Sequence, residues 1–359
     1  MRAQSFDLDT PLIDFSNGSQ SCKWTIRDSV EGVAIFGGIG SGKTSGSAKK
    51  IALKYLSAGY GGLILTCKRQ ERNLFIQYCK ETNRLADLCI IEPRGKEYFN
   101  VLEYEASQKI GDVSLTENVS HLLKVVLMAS EERSSGKSDD PFWENSLDQV
   151  VSNVIDLSIL AYGNVTVKKM YDILTTVPIS NQNVEEPIKA GSYAHAFGLA
   201  AEKISKLFDA FVRQPSHLKE DELEALFVEQ YPDAATLKAV DHFFIEQYRT
   251  LSDKTRSIIN MSFSGLLFRL MKEPVYSLFS RNSSTIRPED CFDGKIVLIN
   301  LPVKVYHKIG RDSQILVKYA FQRAFERRDI TVNNRPVFII CDESQNVIHS
   351  YDTDFQATA

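Results

Sequence analysis

Short apolar runs alternate with amphipathic stretches in the first and last thirds of the chain. An apolar run of four to eight residues is typical of a buried strand, and apolar positions at i, i+3, i+4 and i+7 are typical of a helix with one buried face. The predicted strands are Gly61–Leu65, Leu88–Ile91, Lys295–Leu301 and Pro336–Asp342, and the predicted helices between them are Glu71–Arg84 and Asp312–Arg327. Strands that alternate with helices in this way favour an α/β fold with a mainly parallel sheet.

The middle of the chain has a different pattern, because helical periodicity continues there with almost no strand signal. Two stripes of apolar residues carry this signal most clearly: Val119, Leu122, Leu123, Val126 and Leu127, then Leu147, Val150, Val151, Val154 and Leu157. The helical pattern continues in Leu199–Arg213, Ala234–Leu251 and Lys254–Leu270. We therefore predict an inserted all-α domain at 113–280, between two parts of one α/β domain at 1–112 and 281–359.

Two polar stretches interrupt the predicted elements. Ser130–Asp140 has no apolar side chain, so we expect a surface loop, either a solvated linker or a segment that touches nucleic acid or a neighbouring subunit. Pro178–Gly191 is rich in Asn, Pro and Glu, which predicts a connection between helices.

The most informative motif lies near the start of the chain. Residues 37–44 read G-x-x-x-x-G-K-[ST], which is the pattern of the phosphate-binding loop of P-loop NTPases. The apolar run Gly32–Phe36 precedes this loop and predicts a strand, and a helical stripe follows it. The predicted nucleotide-binding residues are Gly37, Gly38, Ile39, Gly40, Ser41, Gly42, Lys43, Thr44 and Ser45.

This loop pattern predicts a nucleoside triphosphate, ATP, bound with Mg²⁺. Glycines let backbone N–H groups close around phosphates, and the following helix adds its positive end. In such a loop Lys43 reaches the β- and γ-phosphates, and the Thr44 hydroxyl ligates Mg²⁺. A chance glycine-rich turn is the alternative interpretation.

A second motif far downstream extends the prediction from binding to hydrolysis. Val337–Cys341 is a continuous apolar run, which predicts a strand buried on both faces, and Asp342 and Glu343 follow it directly. An aspartate at a strand end can hold the Mg²⁺ shell, and the adjacent glutamate can take a proton from the attacking water. The alternative is an acidic turn after an ordinary core strand.

Composition narrows the class of protein. The 359 residues exceed one compact core, which favours two subdomains, and no apolar stretch reaches the length of a membrane span, so we expect a soluble cytoplasmic protein. The net charge of −4 and the pI of about 6.0 argue against broad clamping on a polyanion, although a narrow basic channel stays possible. The six cysteines have no C-x-x-C spacing, so we expect reduced thiols and no metal site made of Cys and His.

Three further short motifs carry a resemblance to a known family. Phe99-Asn100-Val101-Leu102 is similar to an F-N-P-L turn, Asp140-Pro141-Phe142-Trp143 opens a predicted helix, and Asp342-Glu343-Ser344-Gln345 is similar to D-E-x-Q. In this order and spacing the chain resembles the coupling ATPases of type IV secretion and conjugation, in the FtsK/HerA-like group of DNA translocases. The resemblance covers nearly the whole chain and implies a RecA-like P-loop NTPase fold.

The resemblance also implies roles and partners. Lys43 and Glu343 would be catalytic, Thr44 and Asp342 would hold Mg²⁺, and Gln345 would sense the γ-phosphate or, alternatively, cap the next turn. The family implies a bacterial homo-hexamer that moves DNA, or a DNA–protein substrate, together with relaxosome or secretion-channel proteins. Such a protein works in the cytoplasm at the inner face of the membrane, where its partners hold it.

An arginine from a neighbouring subunit would complete such a site. Arg256, Arg281 and Arg311 are candidates for this arginine by placement, although each could equally be an ordinary surface charge.

Three departures from the family pattern change this expectation. Only 36 residues precede Gly37, where the family has membrane helices; Thr66–Gln70 replaces a D-P-K-G-E turn and keeps its lysine, Lys68; and 16 residues follow Glu343. We therefore expect a soluble, C-terminally truncated relative that binds nucleotide and hydrolyses it poorly. The alternatives are a nucleotide-gated adaptor that recruits cargo, or a related secretion-assembly or DNA-processing defence ATPase.

Overall fold

The computed structural model describes residues 6–15, 19–38, 40–110, 113–114, 116–131, 141–178, 188–213, 219–281 and 283–358. The chain forms two compact units. The first, which we call the sheet unit, comprises Met1–Val101, Met128–Ser130 and Ser277–Ala359, and the second, the helical unit, comprises Leu102–Leu127 and Glu131–Tyr276. The insertion predicted at 113–280 thus corresponds to a unit whose bounds lie several residues nearer the N-terminus.

The elements of the sheet unit fall before and after the helical unit. Before it come β1 (Pro11–Asp14), β2 (Lys23–Thr25), α1 (Ile26–Val30), α2 (Lys49–Ser57), β3 (Gly61–Leu65), α3 (Glu71–Glu81) and β4 (Leu88–Ile91). Between β4 and the next strand of the sheet lie α4 (Val101–Ser107), β5 (Lys109–Ile110), β6 (Val113–Ser114), α5 (Thr116–Glu131), α6 (Pro141–Tyr162), α7 (Val167–Leu174), α8 (Tyr193–Val212), α9 (Glu220–Gln230), α10 (Pro232–His242), α11 (Asp253–Leu270) and α12 (Val275–Phe279). The chain then forms β7 (Ile296–Ile299), α13 (Val303–Arg327), β8 (Val337–Cys341) and α14 (Tyr351–Thr358).

The sheet confirms the predicted α/β class. Its four strands are parallel and follow the order β4-β7-β3-β8, with Leu63 opposite both Val297 and Ile339. β3 and β7 lie in the interior of the sheet, and all their residues are buried. The chain leaves the sheet at β4 and returns at β7, which is the direct neighbour of β4, so the helical unit is inserted between two adjacent strands.

Helices pack on the sheet because their apolar stripes match its apolar side chains. α2 and α3 supply Leu56 and Tyr78 to a cluster with Ile64 and Leu298 of the sheet. Full burial of a side chain of this size contributes about 1.5–3 kcal/mol. α13 also packs against β3, and Gln314 in this helix donates hydrogen bonds from its Nε2 to the Thr66 and Leu301 carbonyls at 2.9 Å and 2.8 Å. These bonds fix the position of the chain where β3 and β7 end.

Two predictions about strands are wrong. Gly32–Phe36 forms no strand, and the Phe36 side chain is 92% exposed. β8 is half-buried rather than buried on both faces, since only Phe338 among its residues is buried. The reason is the same in both cases: in the described part of the chain β8 pairs with β3 alone, and no residue of 32–38 belongs to the sheet.

The helices of the helical unit lie where the apolar periodicity of the sequence predicts them. Both predicted stripes are buried, one on α5 and the other on α6. α11 matches the predicted helix within one residue, and α10 continues through a π-helical turn, Phe243–Gln247, and a 3₁₀ turn, Tyr248–Thr250. The sequence did not indicate the β1–β2 hairpin or α1, because these elements are too short for periodicity to register.

Parts of the two predicted polar connections, 132–140 and 179–187, lie outside the described residues. Of the helices that the structure describes, none alone is long and apolar enough to cross a membrane. Asn145–Tyr162 and Val167–Leu174 meet the length and composition limits only when taken together, and they are bent by 113°.

The segment after β8 is anchored to α13 by a buried ion pair. Lys318 Nζ lies 2.6 Å from Asp352 Oδ1, and the same carboxylate accepts from Gln322 Nε2 at 2.9 Å and from the His349 backbone N–H at 3.1 Å. Burial raises the pKa of Asp352, but the Lys318 and His349 charges and these hydrogen bonds outweigh it and hold the pKa below its usual value. The pair therefore stabilises the fold only while Asp352 is ionised.

We predict that Gly61→Ala destabilises the sheet. A Cβ at Gly61 would lie 2.0 Å from the backbone carbonyl oxygen of Cys291, and neither backbone can move without disturbing β3. The free energy of unfolding, measured by urea denaturation, should fall by about 1–3 kcal/mol. Gly198→Ala on α8 is the matched control: nothing lies within 4 Å of its Cβ position, and it should gain up to about 1 kcal/mol. Equal stability of Gly61→Ala and the wild type would contradict the close approach.

We predict that Asp352→Asn lowers the free energy of unfolding by about 3 kcal/mol at pH 7, because it leaves the Lys318 charge buried without its partner. The folded pKa of Asp352 lies below the unfolded value of 3.8, so the contribution is present above pH 3.8 and is lost as pH falls through the folded pKa. The difference between variant and wild type should therefore narrow in acid. The double variant Lys318→Met/Asp352→Leu should recover most of the lost stability at pH 7, and failure to recover would indicate a role beyond the ion pair.

Candidate functional site

The strand order brings distant parts of the chain to one edge of the sheet. β3 and β8 are parallel neighbours, and their last residues, Leu65 and Cys341, are paired. The turn that begins at Thr66 and the acidic pair that begins at Asp342 therefore leave the sheet side by side. In open α/β sheets, ligand sites form outside the carboxyl ends of the strands, so this edge is the place to look for one.

The glycine loop reaches this edge through Thr44. Its Oγ1 donates a hydrogen bond to Asp342 Oδ2 at 3.2 Å, although the two residues are 298 positions apart in the sequence. Thr44 begins a π-helical turn, Thr44–Ala48, that runs directly into α2. A hydroxyl and a carboxylate are the oxygen donors that Mg²⁺ prefers, and Mg²⁺ is usually held by only one or two carboxylates with water and phosphate completing its shell.

The described part of the chain has no cluster of three or more His, Cys, Asp and Glu that could hold a metal. At the Thr44–Asp342 pair the protein supplies one hydroxyl and one carboxylate oxygen. Mg²⁺ sites with one or two carboxylates are completed by water and phosphate oxygens.

Several positions of the glycine loop have a backbone conformation or a close contact that only glycine tolerates. Gly40 and Gly42 have φ values of 77° and 81°, in the left-handed region, and a Cβ at Gly37 would lie 2.6 Å from Ser41 Oγ. Lys43 Nζ donates to the carbonyl oxygens of Gly37 and Gly38, the latter at 3.0 Å, so its ammonium group lies against the backbone of its own loop. Ser45 is exposed, and Ile39 lies outside the described residues. The loop thus holds the Lys43 ammonium group on two of its own carbonyl oxygens.

Glu343 has both carboxylate oxygens hydrogen-bonded. Gln345 Nε2 donates to Oε2 at 2.7 Å, and Lys68 Nζ donates to Oε1 at 3.1 Å. These two bonds, with the Lys68 charge, hold the pKa of Glu343 below its usual value. Glu343 also has a left-handed backbone, φ 56° and ψ 48°, which is uncommon outside glycine.

Hydrogen bonds with Asp342 and Asn346 fix this backbone conformation. The Glu343 N–H donates to Asp342 Oδ1 at 3.0 Å, and Asn346 Nδ2 donates to the Glu343 carbonyl at 2.9 Å. The side chain is thus presented at the sheet edge by contacts within residues 342–346.

Lys68 is the residue at this edge that the sequence did not assign to the site. Its Nζ lies 3.1 Å from Glu343 and 3.8 Å from Asp342, so that one ammonium group faces both acidic residues. The signal was present in the sequence, since Lys68 follows a predicted strand by three positions. Only the strand order shows that this strand is the neighbour of the acidic one.

A buried carboxylate supports the turn that carries Lys68. Glu71 is buried and accepts a hydrogen bond from the Cys67 backbone N–H at 2.6 Å. Burial raises the pKa of Glu71. Thr66 Oγ1 donates to the Ile299 carbonyl at 2.8 Å and so joins the same turn to the end of β7.

The three arginines that were candidates to complete a neighbouring subunit's site differ in their burial. Arg256 is buried and donates to the Leu251 carbonyl at 2.9 Å, and Arg311 is buried and donates to the Ala129 carbonyl. Because both side chains are buried, neither is placed to reach another subunit. Arg281 is exposed, although its Nε also donates to the Ser277 carbonyl at 2.8 Å, and its guanidinium lies 4.4 Å from the centre of the Tyr98 ring.

The geometry thus defines a sheet-edge site made of a glycine loop, a hydroxyl–carboxylate pair and a hydrogen-bonded glutamate. Comparison with protein-family models gives no match, and no curated protein is significantly similar to the chain.

Proposed function

We propose that the chain is a Mg²⁺-dependent ATPase with a RecA-like P-loop core. The observation that carries this proposal is the contact between Thr44 and Asp342 at 3.2 Å. The sequence predicts that these two motifs share one magnesium ion. Although 298 positions separate them, they supply neighbouring oxygen donors at the carboxyl end of β8. A chance glycine-rich turn would not be expected to hydrogen-bond to the Asp342 carboxylate.

Each residue of the site has a chemical task in this proposal. Thr44 and Asp342 would hold the cation, and Lys43 would exchange the carbonyls of its own loop for phosphate oxygens. Bound Mg²⁺–ATP would supply a phosphoanhydride whose developing negative charge needs compensation. Glu343 would accept a proton from the attacking water, and Gln345 would orient the Glu343 carboxylate to which it donates.

The resemblance of the short motifs to coupling ATPases supports a proposed biological role. In that role a homo-hexameric ring uses hydrolysis to move DNA, or a DNA–protein substrate, toward a type IV secretion or conjugation channel. The ring would act in the bacterial cytoplasm, next to the inner membrane, with relaxosome or channel proteins as partners. Of the three arginines considered, Arg281 is the exposed one that could complete a neighbour's site.

A groove in the helical unit favours a second candidate, a nucleotide-gated adaptor that recruits cargo. The groove has a volume of about 440 Å³ and lies among α8, α9 and α10, with an apolar lining that includes Phe197, Ile204, Phe208, Phe227 and Leu237. Apolar grooves of this size are typical of binding sites. Hydrolysis distinguishes the candidates, because an adaptor has no need of the Glu343 base.

We predict that Lys43→Ala and Glu343→Gln both abolish ATP turnover while the fold is retained. Loss of one preorganised electrostatic group costs about 10²–10³-fold in rate, and loss of a general base costs about 10²–10⁴-fold. Steady-state phosphate release measures turnover, and a fluorescent ATP analogue measures binding, which Lys43→Ala should weaken and Glu343→Gln should preserve. Lys54→Ala removes an exposed lysine of α2 outside the loop and should behave as the wild type. Unchanged turnover in both site variants would refute the assignment.

We predict that turnover per subunit rises with protein concentration and rises again on addition of single- or double-stranded DNA. Sites shared between subunits of a ring explain the first effect, and coupling to a DNA substrate explains the second. Phosphate release over a range of protein concentrations, with Glu343→Gln as the background, measures both. Tight ATP binding with negligible turnover under every condition would instead support the adaptor. Turnover that ignores DNA would support a secretion-assembly ATPase.

A further inference from the structure

One carboxylate oxygen of Asp342 faces polar groups from two other parts of the chain. Thr44 Oγ1 donates a hydrogen bond to Asp342 Oδ2 at 3.2 Å, and Lys68 Nζ lies 3.8 Å from the same oxygen. The other oxygen, Oδ1, accepts the Glu343 backbone N–H at 3.0 Å. Since Thr44 and Asp342 would hold the cation together, Oδ2 is the oxygen that would bind it, and an ammonium group faces that oxygen.

The turn after β3 places this ammonium group. The buried Glu71 carboxylate accepts a hydrogen bond from the Cys67 backbone N–H at 2.6 Å. Thr66 Oγ1 donates to the Ile299 carbonyl at 2.8 Å. These bonds fix the backbone on both sides of Cys67 and therefore set the point from which the Lys68 side chain extends.

The Lys68 ammonium opposes the binding of a free divalent cation. If the ammonium stays in place, it repels a cation on Asp342 Oδ2; if it moves into solvent, its hydrogen bond to Glu343 Oε1 at 3.1 Å is lost. Repulsion between an ammonium and a divalent cation a few ångströms apart corresponds to about tenfold in affinity even in water. A triphosphate has the opposite effect, because its negative charge attracts both cations.

We propose that Lys68 is a specificity-determining residue, which makes the site disfavour a free divalent cation and accept the cation together with a nucleoside triphosphate. The inference rests on the proposed ATPase function, which supplies the triphosphate. A site of this kind takes up metal and nucleotide as one unit, so metal alone does not occupy it between turnovers.

Three variants of the whole chain test the proposal. Lys68→Met removes the ammonium and keeps most of the length of the side chain, whereas Lys68→Arg keeps the charge. Lys304→Met is the matched control, because the Lys304 N–H donates to the Cys67 carbonyl at 3.1 Å at the same edge while its side chain is exposed. Thermal melts of all three should resemble that of the wild type, since an ion pair as exposed as that of Lys68 and Glu343 contributes little to stability.

The first measurement is the binding of Mn²⁺, a spectroscopic substitute for Mg²⁺, in the absence of nucleotide, followed by electron paramagnetic resonance of the free ion. Lys68→Met should bind Mn²⁺ about tenfold more tightly than the wild type. Lys68→Arg and Lys304→Met should stay within about twofold of it, because one keeps the charge and the other removes a charge that solvent screens. Adding Asp342→Asn to Lys68→Met should remove the gain. An unchanged affinity in Lys68→Met, or a gain that survives Asp342→Asn, would overturn the proposal.

The second measurement is the binding of a fluorescent ATP analogue in the presence of EDTA, without metal. Lys68→Met should weaken it roughly two- to fivefold, the range for one exposed charge pair, because the charge that repels a cation attracts an anion. Opposite changes in metal and nucleotide affinity are not expected from a loss of packing or of fold. Equal or tighter nucleotide binding by Lys68→Met would refute the proposed role. If the wild type has no turnover that depends on Lys43, the ATPase assignment fails by itself, and the two titrations still decide the role of Lys68.

Discussion

The parallel pairing of β3 with β8 is the constraint on which the site depends. It aligns Leu65 with Cys341, so the residues that follow each strand leave the sheet at one edge. The polar groups of the site lie at that edge. Asp342 and Glu343 follow β8, Lys68 follows β3, and Thr44 donates a hydrogen bond to Asp342. A shift of one residue in this register would turn each side chain to the opposite face of the sheet.

Buried hydrogen bonds keep the edge in place where the ladder stops. Carbonyl groups at strand ends have lost their ladder partners and must be satisfied in another way. The buried Gln314 of α13 bonds to two of them, at Thr66 and Leu301, and the Thr66 hydroxyl bonds to a third, at Ile299. These hydrogen bonds hold the backbone at the edge. The positions of the site side chains therefore depend on buried residues, such as Gln314, that lie outside the site.

Positive and negative side chains are equal in number at this edge. Lys43 donates to the loop carbonyls, and Lys68 faces the carboxylates of Asp342 and Glu343. Lys68 and Glu343 are about one-third exposed, whereas the Glu71 carboxylate behind them is buried.

The sequence predicted the strands whose bounds depend on a local apolar run. It did not predict features that depend on which strands are neighbours in the sheet. Gly61–Leu65 and Leu88–Ile91 were predicted with their observed bounds, because each run is short and is ended by polar residues. Gly32–Phe36 has the same appearance yet forms no strand, since an apolar run says nothing about whether a partner strand is present. Thr44 and Asp342 were found through their motifs, but Lys68 could not be assigned, because its role follows from strand order alone.

The separation of Thr44 and Asp342 along the chain has a kinetic consequence. Their contact closes a loop of 298 residues, and the entropy cost of closure exceeds that of a 30-residue loop by about 2 kcal/mol. Contacts between such distant residues form slowly and after local structure. Folding of the inserted helices shortens the effective loop, so we expect them to form before β8 joins β3. A chain still being synthesised could fold its glycine loop and its helices, yet it would lack this site until residues 337–343 had emerged and found their place beside β3.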